Sequence, residues 1–106
     1  MQNRITFVNS IYFGEDYRHE IIKYFDECMV LYNLTASYSN MKIQGVEKSP
    51  NEISFTIQFD NSDNVPDFVK SIQNRNPISL YNKLFDVSIF KGLNDLEIHI
   101  TMIRVG

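Results

Sequence analysis

Apolar residues recur along this chain with two periods, and each change of period marks an element. Over residues 4–9, Ile5 and Phe7 fall on one side and Thr6 and Val8 on the other, the alternation of a half-buried strand. Over residues 16–34 the apolar positions Tyr17, Ile21, Phe25, Cys28 and Tyr32 recur at helical spacing. Arg18, Glu20, Lys23 and Glu27 lie off that stripe, so an amphipathic helix is predicted. Asp16, with Glu15 beside it, is placed to cap the helix and to complement the positive end of its dipole.

A polar stretch, residues 35–40, leads into Met41, Ile43 and Val46, a second strand in which Gly45 predicts a bulge or an early end. Lys48-Ser49-Pro50-Asn51 reads as a turn. Ile53, Phe55, Ile57 and Phe59 then alternate strictly with Glu52, Ser54, Thr56, Gln58 and Asp60, which makes this the clearest strand. After the loop Asp60-Asn61-Ser62-Asp63-Asn64, the positions Val65, Phe68, Val69 and Ile72 predict a short helix. Pro66 favours its start, Asp63 or Asn64 is the expected cap, and Asn74-Arg75-Asn76-Pro77 ends it.

Residues 77–84 read as a short helix or turn, because Leu80, Tyr81, Leu84 and Phe85 can line one more helical turn. A strand over residues 84–90, a hairpin loop Lys91-Gly92-Leu93-Asn94-Asp95 and a last strand with Leu96, Ile98, Ile100 and Met102 inward complete the pattern. The order βαββαββ predicts one α+β domain over residues 1–106, a two-layer sandwich whose leading topology is ferredoxin-like with an extra strand.

Charge and composition narrow the function classes. A net charge of −3 gives no general attraction to phosphate backbones or anionic lipid, so neither nucleic acid nor membrane is the expected partner. Cys28 is the single cysteine and cannot form an internal disulfide, and no apolar run approaches the roughly 20 residues of a membrane span. A cytoplasmic protein is expected, with Cys28 a small core residue within its helical stripe.

Candidate chemistry is sparse. His19, His99 and Cys28 have no zinc spacing, and Gly14, Gly45, Gly92 and Gly106 are too dispersed for a phosphate loop, so neither metal nor cofactor is expected. A calcium loop starting at Asp60 would need glycine and glutamate where Val65 and Ser71 stand. His99, beside Glu97 and Thr101 on the polar side of the last strand, is the one candidate general base, although a solvated or hydrogen-bonded histidine is the plainer reading. The outward sides of the two best strands, Ser54, Thr56, Gln58 and Glu97, His99, Thr101, lack the stacking aromatics of an RNA-reading sheet. Tyr12, Phe13, Tyr38 and Tyr81 lie off the stripes and are expected to be partly buried at loop ends.

Elimination leaves a non-enzymatic protein-binding module as the leading expectation. Within that class, the size and mild acidity suit an inhibitor or immunity-type protein that masks a basic toxin or nuclease. Glu20 and Glu27 on the first helix and the corner Asp60, Asp63 and Asp67 would then meet the partner. One alternative is a ligand-binding regulatory module that forms a homodimer, and another is a small enzyme using His99 on the sheet face.

Overall fold

The strict alternation of residues 53–59 has the consequence expected of it: Ile53, Phe55, Ile57 and Phe59 are all buried on one face of a strand. That strand lies near the middle of the sheet in the computed structural model, which describes residues 4–5, 17–46 and 49–106. The elements are β1 (Arg4–Ile5), α1 (Tyr17–Val30), β2 (Ala36–Val46), β3 (Ser49–Phe59), α2 (Val65–Arg75), β4 (Ile78–Leu80), β5 (Lys83–Lys91) and β6 (Glu97–Arg104). The sheet order is β1-β2-β3-β6-β5-β4, with β1 parallel to β2 and every other neighbouring pair antiparallel.

This is an α+β fold, a largely antiparallel sheet with two helices. β3 and β5 run parallel to each other with β6 between them, and the chain passes from β3 through α2 and the short β4 before it reaches β5. Around α1 the arrangement differs, because the described part of β1 lies directly beside β2.

The helices cover the apolar face through aromatic edges. Phe25 of α1 meets Phe55 of β3 with ring centroids 5.5 Å apart and Phe68 of α2 at 6.5 Å, while Phe68 also meets Phe59 at 5.7 Å. Tyr17, Ile21, Phe25 and Cys28 are buried, as the helical stripe requires. Asp16 and the segment 6–9 lie outside the described residues, as do Tyr12 and Phe13.

Several local expectations are corrected. The polar stretch before Met41 is part of β2, because Ala36 and Tyr38 face the core while Ser37 and Ser39 face outward. Asn40, at φ 57°, then inserts one extra residue where Ser39↔Thr56 gives way to Lys42↔Ser54, so the inward positions become Met41 and Ile43. Gly45 does mark the second irregularity, at φ 141°. Tyr38 is fully buried, not half-buried at a loop end, because its hydroxyl donates to Asp26 Oδ1 at 2.6 Å.

Ser49 and Pro50 belong to β3, paired with Val46 and Gly45, rather than to a turn. Asn64 stands at the α2 N-cap in a left-handed conformation but makes no side-chain cap. Its amide instead donates to the Tyr32 carbonyl at 3.0 Å and ties the helix start to the end of α1. Residues 78–80 form strand β4 rather than a helical turn, since Ile78 and Leu80 are buried on either side of exposed Ser79. A two-residue turn with Tyr81 and Asn82 both at positive φ joins β4 to β5.

Candidate functional site

The apolar side of α2 is wider than the core needs. Phe68 and Ile72 are completely buried, but Val65 and Val69 sit on the flank turned away from α1, and Val69 is only half-buried. On the sheet below, Ile98 of β6 and half-buried Ile89 of β5 continue the apolar face beyond the helix. Between this flank and the β5–β6 hairpin lies a groove of about 760 Å³, within the roughly 300–1,000 Å³ typical of ligand pockets. Val65, Val69, Ile89 and Ile98 give it an apolar bottom, and Lys70, Gln73, Lys91 and Asp95 stand around it.

The hairpin wall is braced internally. Glu97 Oε1 accepts the Leu93 amide at 3.3 Å, Asn94 Oδ1 accepts the Leu96 amide at 2.8 Å, and the Gly92 amide donates to the Glu97 carbonyl at 2.8 Å. Gly92 is required here, since a Cβ at this position would lie 2.7 Å from Glu97 Cγ. Lys91 and Asp95 form an exposed ion pair at 2.9 Å, of small energetic weight.

β4 is short, and this leaves one side of β5 uncovered beside the groove. Only residues 83–85 of β5 pair with β4, whereas residues 85–91 pair with β6 on the other side. Asn76, which caps the C-terminus of α2, uses Oδ1 to accept the outward amide of Val87 at 2.7 Å. Beyond Val87 no hydrogen bond covers this edge among the described residues.

The opposite face of the sheet is polar around Thr56 and carries exposed Leu84, Phe90 and Ile103 on β5 and β6. Thr56 is buried there, contrary to its outward alternation, because cross-strand His99 lies over it and shares a hydrogen bond between Nδ1 and the threonine hydroxyl at 3.0 Å. His99 Nε2 is 3.4 Å from Glu97 Oε1. The hollow beside them is about 170 Å³, below the usual range of ligand pockets. Among the described residues no group of three or more His, Cys, Asp or Glu side chains could hold a metal ion, and no helix is long and apolar enough to cross a membrane.

The acidic positions divide into two sets. Asp60, Asp63 and Asp67 are exposed at the β3–α2 junction, where Asp60 accepts the Thr35 hydroxyl and Asn61 Oδ1 accepts the Asp63 amide at 3.2 Å. Glu27 is exposed and Glu20 half-buried, seven residues apart on α1 and so two turns along one side. The junction set adjoins the groove through Ser62, Val65 and Pro66. Glu20 and Glu27 do not line the groove.

Cys28 is held between the helices. Arg75 Nη1 donates to its Sγ at 3.2 Å, and burial pushes the thiol above its ordinary value even though the guanidinium pulls the other way. Burial likewise raises the Tyr24 phenol beside it. Both groups are therefore neutral at physiological pH.

Sequence reasoning placed Val65 and Val69 in the core and did not find the groove. The one signal available was that these residues widen the α2 stripe to one side of Phe68 and Ile72. Comparison with protein-family models, with curated proteins and with solved structures finds no match to this chain, so its own geometry carries the functional argument.

Proposed function

We propose that this chain is a non-enzymatic protein-binding module that engages its partner through the groove between α2 and the β5–β6 hairpin. The observation that carries this reading is the apolar bottom of that groove, in which Val69 and Ile89 remain partly open while the equivalent positions closer to α1 are sealed. Interface centres are apolar and rimmed by polar groups, and that is the composition here.

Within this class the chain acts as a small acidic inhibitor, of the immunity type, towards a basic cytoplasmic protein. The net charge of −3 supports this, as do exposed Asp63 and Asp67, which flank Val65 and Pro66 at one end of the groove. Charges at a rim mainly speed encounter, while the apolar centre holds the complex.

The test is a selection of linear peptides from a random displayed library on the wild-type protein. The Val69→Arg variant is then compared with the double variant Asp63→Lys, Asp67→Lys. The reading expects peptides whose binding Val69→Arg abolishes and whose association the double variant slows, with less dependence on salt. Peptides indifferent to Val69→Arg would overturn the groove assignment, and association unchanged by the double variant would overturn the electrostatic part.

A further inference from the structure

We infer that the partner segment binds in extended conformation as an added strand along the uncovered edge of β5, with alternate side chains entering the groove. This rests on the protein-binding reading above and specifies how the segment is held.

Hydrogen bonds along β5 alternate between its two sides. The Gly92 amide bonds to the Glu97 carbonyl on β6, and the Val87 amide bonds away from β6, to Asn76 Oδ1. In an antiparallel strand the backbone groups of successive residues point to opposite sides. Even-numbered residues of this part of β5 therefore bond to β6, and the amides of Ile89 and Lys91, with the carbonyls of Val87 and Ile89, point outward. β4 covers only residues 83–85, and no hydrogen bond among the described residues takes up these outward groups.

Two further features bear on the occupant. The open run, from the Val87 carbonyl to the Lys91 amide, spans roughly 13 Å at about 3.3 Å per residue, enough for a short added strand. The groove lies on the helix side of the same run, so an added strand would place every second side chain beside Ile89 and Val69. An apolar hollow alone would accept many shapes. A hollow beside unpaired backbone donors and acceptors selects an extended peptide, with main-chain bonds giving affinity and the hollow giving specificity. Pairing by a second copy of this chain is the competing occupant, and a dependence on protein concentration separates it from a peptide.

The experiment uses a library-selected linear peptide whose binding is blocked by Val69→Arg. Backbone amide exchange is followed residue by residue on the intact protein, with and without that peptide. The inference expects exchange at Ile89 and Lys91 to slow by at least about tenfold on binding, as a newly paired amide requires, while Phe90, already bonded to β6, changes little. Peptides N-methylated at one set of alternate residues should lose binding at least about tenfold more than those methylated at the other set, because only one set faces β5. Peptide binding blocked by Val69→Arg but without protection of Ile89, or without the alternation, would leave the groove reading standing and overturn strand addition. Failure to select any such peptide would count against both. Protection of Ile89 that rises with protein concentration in the absence of peptide would assign the edge to a second copy and overturn the inference.

Discussion

Asn76 Oδ1 accepts the Val87 amide at 2.7 Å, and among the described residues no hydrogen bond covers the outer edge of β5 beyond it. The same side chain donates to Asp86 Oδ1 at 2.5 Å, so Asn76 holds the end of α2 against β5 from both its amide nitrogen and its oxygen. Asn76→Ala should cost about 1–3 kcal/mol, as expected when a half-buried donor loses its partner. In the unbound wild-type protein the Val87 amide should exchange slowly and the Ile89 amide quickly, and in Asn76→Ala the two should become similar. Denaturant unfolding and amide exchange check these outcomes.

Phe55 and Thr56 are both buried, but by different means. Phe55 is packed between Phe25 and Tyr38, whereas Thr56 is covered by the His99 ring and keeps a hydrogen bond to it. Phe55→Ala should cost about 3–5 kcal/mol through lost burial and the cavity left behind. Thr56→Val keeps the shape and removes only the hydroxyl, so it should cost about 1 kcal/mol. Comparable losses in urea unfolding would mean that the covered side of β3 is misassigned.

How much of this was legible in the sequence follows from how each element meets the core. β3 and α2 were legible because Ile53, Phe55, Ile57 and Phe59, and Phe68 with Ile72, report a single uninterrupted face. The start of β2 was hidden by Asn40, whose extra residue shifts the inward positions from Ala36 and Tyr38 to Met41 and Ile43. β4 was hidden because three residues are too few to show a period and because its turn uses Tyr81 in place of the usual glycine or asparagine. Tyr81 is held there against Tyr17, with ring centroids 4.9 Å apart. The groove was not legible because its residues come from α2, β5 and the hairpin, and because the open edge exists only where β4 ends.

Tyr38 gives the fold a dependence on alkaline pH. Burial, and then the Asp26 carboxylate that accepts its hydroxyl, hold the phenol far above the ordinary value of 10.0. The unfolded chain therefore loses this proton before the folded chain does. The contribution is complete below pH 10 and is lost as pH climbs above it. Tyr38→Phe should lower stability at neutral pH by about 1–3 kcal/mol, the worth of a hydrogen bond to a charged group. It should also make the alkaline decline shallower than in the wild type. A decline of equal steepness in both proteins would remove Tyr38 as its source.

Cys28 should react slowly. Its side chain is 4% exposed, and burial keeps the thiol protonated despite the adjacent guanidinium of Arg75. Native labelling by a thiol reagent should proceed at the rate of local opening and accelerate in denaturant. Arg75→Ala should not turn the thiol into a fast nucleophile, because it removes a cation that favours the thiolate. Rapid labelling of the native wild-type protein would contradict this placement.

Binding at the α2/β5–β6 groove is tested most directly by the affinity of one selected linear peptide for wild type and for Val69→Arg. Thermal unfolding would establish that both proteins are folded. A charged side chain set over the apolar bottom of the groove should weaken binding by about 100-fold, about 2.7 kcal/mol, as loss of a central anchor does. Equal affinity for the two folded proteins would contradict the account.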